Sequence, residues 1–247
     1  CIFISQSGET ADTLASLRET KKRGAYTLSV VNVPFSTIAR ESDGVIYTNA
    51  GAEIAVATTK AFSAQLSVIY ILSALLSQEK GLMNEIEIRK FTDEIVSLPD
   101  KIQTALECDT ATKKLAETIS QKQNVFFIGR GVDYPLCLEG ALKLKEISYI
   151  HCEGYGAGEL KHGSIALIED GTPVVAILTK QSTKDKIINN IREVKARGAR
   201  VILLTSESTD VDIADKVIRI PETEEFFMPL ICAPVLQLIA YYVALSR

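Results

Sequence analysis

"LRETKKRGA" at residues 17–25 returns as "IREVKARGA" at 191–199, with six of nine positions identical at a shift of 174. At the same shift the apolar run "CIFI" (1–4) falls on 175–178, and at a shift of 172 "SDGVIY" (42–47) falls on "ADKVIR" (214–219). Further on, Glu53 pairs with Glu225 and "AQL" (64–66) with "LQL" (236–238). The chain holds one unit twice. Each copy reads as strand, helix, strand, short turn, strand, helix. In the first copy these elements are 1–4, 11–23, 27–32, 44–48 and 56–78, and in the second 173–178, 184–197, 200–205, 216–220 and 226–246. The strands are short, rich in Val and Ile, and lack a polar alternation, as in parallel sheets covered on both faces. Gly24 and Gly198 stand where a helix closes on a left-handed residue. Alternating strand and helix predicts an α/β fold with doubly wound, mainly parallel sheets flanked by helices and joined by right-handed crossovers.

The copies are unequal. The second has an additional strand, "NVFFIGRG" (124–131), followed by a helix at about 134–149, whose partners in the first copy would lie before residue 1. The first domain is therefore expected to be truncated at its N-terminus, in a piece of a longer polypeptide. Residues 80–122 read as a helical connection, giving domains at 1–106 and 107–247. From 226 to 245 the chain has 20 residues with Gln237 as the only polar side chain, long enough for a membrane span by length alone. Its counterpart, 54–73, carries Lys60 and several hydroxyls, so the expectation is a buried central helix used twice. Pro229 and Pro234 are expected to break it near its start.

Composition narrows the partners. Of 247 residues 47% are hydrophobic and 23% charged, ordinary for a globular protein, and the net charge of −4 with no basic tract argues against nucleic acid. The five cysteines are scattered, odd in number and free of any C-x-x-C pair, which points to a reducing cytoplasm. His151 and His162 have no ligand cluster around them, so no metal and no cofactor are expected.

Two stretches carry chemistry. "SQSGET" (5–10) leaves a strand and enters a helix at once, at the edge of a parallel sheet where ligands collect. Ser5, Ser7 and Thr10 offer hydroxyls and Gln6 an amide, while Gly8 lets the backbone approach closely. With the helix dipole supplying positive potential, a phosphate monoester fits. A simple N-cap is the plainer alternative, for which one hydroxyl would suffice. The second copy reads "TKQSTK" (179–184) there, without the glycine, so the two turns are not expected to share a role.

The other stretch is "EGALKLKEISYIHCEGYGAGELKHG" (139–163). On a helix, Glu139, Lys143 and Glu146 fall one above another on a single face, with Leu138, Leu142 and Ile147 beside them. A solvated salt-bridge ladder is the commonest meaning of such a stripe. A carboxylate beside a lysine in a partly closed cleft is instead a tuned general base. The glycine-rich loop "GYGAG" follows, and then His162, which can move a proton near neutral pH or be merely structural.

"SQSGETADT", "EIAVATTKAF" and "ALKLKEISYIH…GELKHG" together resemble the sugar-isomerase module of the glutamine–fructose-6-phosphate aminotransferases, across essentially the whole chain. In that family two tandem SIS domains follow an N-terminal glutaminase half, which is not in this sequence. The resemblance implies that Ser5, Gln6, Ser7 and Thr10 grip the phosphate of fructose 6-phosphate and that Val56 and Thr58 line the sugar, Thr58 standing where serine is usual. It implies that Glu146 shuttles a proton between C1 and C2, with Lys143 stabilising the intermediate. His162 would open the sugar ring, lent by the neighbouring subunit of a homodimer. Ser164 replaces a usual proline, and Gly154 and Gly156 usual alanines, changes expected to loosen the loop. A Schiff-base lysine would lie beyond Arg247 and a further phosphate-binding serine before Cys1. Cys1 opens an apolar strand and is expected to be a core residue, not a glutaminase nucleophile. The implied ligands are fructose 6-phosphate, glucosamine 6-phosphate and glucose 6-phosphate, with no membrane or nucleic-acid partner. Two rivals stand beside this: a phosphosugar-sensing regulator, which needs no acid–base set, and a glutamine-independent deglycase or isomerase.

Overall fold

The computed structural model describes residues 1–206 and 212–247, which form two compact units, Cys1–Thr92 and Asp93–Arg247. The first holds strands β1 (Ile2–Ser5), β2 (Leu28–Val31) and β3 (Gly44–Tyr47) in a parallel sheet of that order. Helix α1 (Ala11–Lys22) and the short α2 (Thr37–Glu41), which replaces the expected turn, lie against the sheet. Leu17, Val31, Ile38 and Ala39 form a small core, closed by Phe3, Leu14 and Val45. Helix α3 (Lys60–Glu79) completes the unit.

The second unit begins within α4 (Glu85–Ala105), not at 107. Leu98 and Ala105 are buried, and Glu94 bonds both Lys101 and Thr223, so most of this helix packs with the later elements. Helix α5 (Asp109–Ile119) follows, then β4 (Asn124–Gly129), α6 (Asp133–Ser148), β5 (His151–Gly156), β6 (Pro173–Leu178), α7 (Lys184–Lys195), β7 (Arg200–Ser206), β8 (Lys216–Ile220) and α8 (Met228–Leu245). The five strands are parallel in the order β5-β4-β6-β7-β8. Every residue of β6 is buried, as its unbroken apolar run requires of a strand covered on both faces. Ile187, Ile191 and Val194 of α7 cover one face, while α6 packs on β4 and β5, with α8 against α6 and α5.

The repeat survives to single bonds. In the first unit Lys21 pairs with Asp43 at 3.0 Å, and Asp43 accepts the Thr27 N–H at 2.9 Å. In the second, Lys195 pairs with Asp215 at 3.1 Å, and Asp215 accepts the Val201 N–H at 2.7 Å. Each of these residues is the partner that the sequence shift assigns.

Four expectations are corrected. The first three residues of the glycine-rich loop, 154–156, belong to β5, an edge strand that runs beside β4 over its whole length, and only 157–158 form a turn. Gly154 lies within it, where a Cβ would come 2.7 Å from the Cys137 carbonyl, so it lets β5 and α6 approach instead of loosening a loop. Cys1 is exposed, not a core residue. Pro229 sits in the first turn of α8, but Pro234 lies inside the helix without ending it. Finally, among the described residues the central helix is buried in the second unit and mostly unburied in the first. Both α3 and α8 are long and apolar enough to cross a membrane, yet 56% of α8 is buried against 11% of α3. Among the described residues, helices α5 and α6, which cover α8, have no counterpart in the first unit. Ile239→Ala in α8 should therefore cost about 2–5 kcal/mol of stability in urea denaturation, whereas Leu75→Ala on the exposed side of α3 should cost under about 1 kcal/mol. Equal losses would place both helices in a core.

Candidate functional sites

In the first unit, Ser5 ends β1 and is buried. Its Oγ accepts the Gly8 N–H at 3.0 Å and lies 2.9 Å from the Thr10 hydroxyl oxygen. Gly8 has a φ of +67°, and a Cβ there would lie 2.0 Å from the Ser36 hydroxyl oxygen, so only glycine lets the turn rest on the start of α2. The Ile38 N–H donates to the Gly8 carbonyl at 2.9 Å. Glu9 accepts the Thr37 N–H at 2.7 Å, a bond that holds its carboxyl below the usual range. Thr10 precedes α1, yet its side chain makes no capping bond. Its hydroxyl is paired with that of Ser5 instead of capping the helix. Gln6, Ser7 and Thr10 remain at least partly exposed on the turn.

Beside the turn is a cavity of about 560 Å³, lined among others by Gln6, Asn32, Asn49 and Glu53, within the size range of small-molecule sites. Asn32 is spent on structure, its amide oxygen accepting from Ala50 at 2.8 Å and from the Thr48 hydroxyl at 3.0 Å. Glu53 is half open: Oε1 accepts the Thr59 N–H at 2.9 Å, while Oε2 is buried with no partner. The sequence marked Glu53 only as a repeat position. Val56 and Thr58 lie in the same loop but do not line this cavity, and Val56 is 95% exposed.

In the second unit α6 carries the charged stripe. Lys143 is only 4% exposed, with Glu146 at 3.0 Å and Glu139 at 3.7 Å. A solvated ladder does not bury its central lysine. Burial pushes the Glu139 carboxyl above its usual range, with the Glu146 charge adding and Lys143 opposing. His162 lies on a short 3₁₀ turn (Leu160–His162), exposed, and its ring makes no hydrogen bond or ion pair among the described residues. The structure thus joins Lys143 and Glu146 directly, with no bond from His162 to either among the described residues.

The second unit's counterpart of the serine-rich turn is built differently. Thr179, at the position of Ser5, donates its N–H to Asp133 at 3.1 Å and its hydroxyl at 2.5 Å. Lys180, at the position of Gln6, is paired with Glu225 at 2.5 Å. Asp133 is fully buried, and burial raises its pKa to about 6, against the lowering effect of the Thr179 bonds and Lys180 and helped by Glu225. The thiols of Cys137 and Cys232 share its surroundings and are pushed well up by burial and by its charge. Nothing in the local sequence marks Asp133, since its partner lies 46 residues away.

The SIS domain model matches residues 1–75 and 118–247. The chain is 52% identical over 248 residues to the glutamine–fructose-6-phosphate aminotransferase (isomerizing) of Clostridium tetani, covering all of this chain and 41% of that protein. It is 48% identical over 246 residues to that of Thermococcus kodakarensis, again covering 100% of this chain and 41% of the relative. The C-terminal domain of glucosamine-fructose-6-phosphate aminotransferase from Francisella tularensis matches with a TM-score of 0.94 and 41% identity, over 99% of this chain and 70% of that one. The chain spans about two fifths of the length of the two full-length relatives.

Asp133 holds its proton more tightly in the folded chain, at about 6 against an ordinary 3.8. Its contribution therefore favours folding below the ordinary value and is lost as pH rises through about 6. Relative to Asp133→Asn, the wild-type chain should lose about 3 kcal/mol of stability between roughly pH 4 and pH 7. Urea denaturation across that range measures it, and a constant difference would show that Asp133 titrates as an exposed aspartate.

Proposed function

The chain belongs to the SIS domain family, and we propose that it is the isomerase portion of a glutamine–fructose-6-phosphate aminotransferase. The whole enzyme would convert fructose 6-phosphate, with ammonia from glutamine, to glucosamine 6-phosphate. The single observation that carries this is the burial of Lys143 between Glu139 and Glu146 on a rigid helix. Ring opening and a C1-to-C2 proton transfer need a fixed carboxylate with a cation beside it, and Glu146 has both properties. Its side chain is 28% exposed, accessible to a substrate, while Lys143 lies behind it as an electrostatic stabiliser of the developing oxyanion. His162 is assigned to ring opening, and its exposure suits a residue lent to a neighbouring subunit.

Ser5, Gln6, Ser7 and Thr10 are assigned to the phosphate, and Val56 and Thr58 to the sugar. The exposure of Thr10 and the partial exposure of Gln6 and Ser7 support the first assignment, as does the cavity beside Gln6. Glucose 6-phosphate and glucosamine 6-phosphate present the same phosphate and would bind there too. A phosphosugar sensor would need the turn but not the lysine–carboxylate set, and identity near one half along the chain favours the synthase over a glutamine-independent deglycase. We place the enzyme in the cytoplasm, in keeping with its five free cysteines, as a homodimer fused to a glutaminase domain and without nucleic-acid or membrane partners.

Replacing both Ser7 and Thr10 by alanine should weaken glucose 6-phosphate binding by about 1.5–3 kcal/mol per lost bond while leaving the fold intact. Unchanged affinity by calorimetry would remove the turn from the phosphate site. In the full-length enzyme, Glu146→Gln should keep sugar-phosphate binding while turnover falls about 10²–10⁴-fold, as loss of a general base does. Glu139→Gln should be far milder. Equal losses in the two variants would make the stripe a structural ion network.

A further inference from the structure

The two repeats place corresponding residues at the carboxyl ends of corresponding strands, but their donors meet different fates. In the first, the turn after β1 leaves Gln6, Ser7 and Thr10 at least partly exposed, and Glu53 keeps a buried oxygen without a partner beside a cavity of about 560 Å³. In the second, the corresponding groups are engaged within the chain. Thr179, the counterpart of Ser5, gives both its N–H and its hydroxyl to Asp133. Lys180 and Glu225, the counterparts of Gln6 and Glu53, close on each other as an ion pair at 2.5 Å.

A backbone N–H and a hydroxyl at the end of a parallel strand, just before a helix, are the donors an anion takes at such a turn. Asp133 supplies that anion from within the chain. It sits at the first position of α6, on the neighbouring strand β4's return, and it is fully buried. Lys180, whose charge favours the ionised carboxyl, is itself paired with Glu225.

We propose that the second repeat's anion-binding turn is permanently occupied by the Asp133 carboxylate, and that this restricts the chain to a single sugar-phosphate site, at the first repeat. The proposal deepens the assignment of residues 5–10 to phosphate and rests on it for the count of sites. Asp133 is an internal substitute for a ligand. Its removal uncovers the Thr179 donors, and a small external anion then takes them.

Two measurements on the full chain decide this. The first is chemical rescue. Asp133→Ala should melt below wild type and recover on adding formate, with no recovery from chloride at equal ionic strength. Asp133→Ala combined with Thr179→Val should show no recovery. A folded Asp133→Ala chain that responds to formate no more than to chloride overturns the proposal. The second is a count of sites with inorganic phosphate by calorimetry, which needs no variant at Asp133. A chain with Ser7→Ala and Thr10→Ala should have lost its phosphate binding. A residual phosphate site in that chain that disappears on adding Thr179→Val would show the second turn open, and the proposal false. A residual site indifferent to Thr179→Val instead refutes the assignment of residues 5–10, and the formate experiment alone then decides whether Asp133 fills the second turn.

Discussion

An ammonium taken out of water must bring its counter-charge with it, and α6 is built around that requirement. Desolvating a lysine costs several kcal/mol, whereas a carboxylate near 4 Å returns about 4 kcal/mol at an effective dielectric constant of 20. Lys143 has two such carboxylates, one turn before it and one turn after, on its own helix. Both are held by the backbone they share with the lysine, so little side-chain freedom is spent in bringing them together. The price is structural: α6 must run unbroken through 139–146 and lie hard against its neighbours. Gly140 shows how hard, since a Cβ there would come within 2.9 Å of the Phe127 ring on β4. The same burial divides the two carboxylates. Glu139 is drawn inward and its pKa rises, while Glu146, at the more open end, keeps an accessible oxygen.

The two units show how one folding pattern carries two electrostatic solutions. Lys21–Asp43 and Lys195–Asp215 are the same bond made twice, and each ties the end of a helix to the start of the strand beyond it. Such bridges lie on the side of the unit where the chain enters its strands, and they concern folding alone. Divergence is concentrated at the opposite edge, where strands end and helices begin. There Ser5 and Thr179 have parted, and Gln6–Glu53 and Lys180–Glu225 have become an open pair and a closed one. In parallel α/β sheets that edge is free to change, because the core below is set by apolar runs that do not involve it.

What could be read from the sequence follows the same division. The runs "VVAIL" and "VILLT" declare β6 and β7, being buried on both faces, and the repeat supplied their counterparts. Strand β5 was hidden because "HCEGYG" has two glycines and no β-branched residue, and its pairing with β4 is a tertiary fact. The α3 sequence is as apolar as a core helix, but burial depends on covering neighbours, and among the described residues only α8 has them. The stripe Glu139–Lys143–Glu146 was legible as a motif, whereas its burial was not, since the same spacing serves on any solvated helix. Asp133 and Glu53 were invisible as functional groups. What marks each is a distant or missing partner, not anything adjacent in the chain.

A turn designed to hold an anion cannot simply be abandoned when its ligand is no longer used. The N–H and hydroxyl at the end of the strand remain, and leaving them buried and unpaired costs about 1–3 kcal/mol for each group. In the second unit Lys180 and Glu225, the counterparts of Gln6 and Glu53 that line the first unit's cavity, are paired with each other. A carboxylate on the next helix satisfies both donors at once, and because it is tethered it needs no ligand concentration to stay in place. The cost appears as a buried charge, seen in the raised pKa of Asp133. That cost is offset in part by the two Thr179 bonds and by the Lys180 charge, which lower the pKa that burial raises.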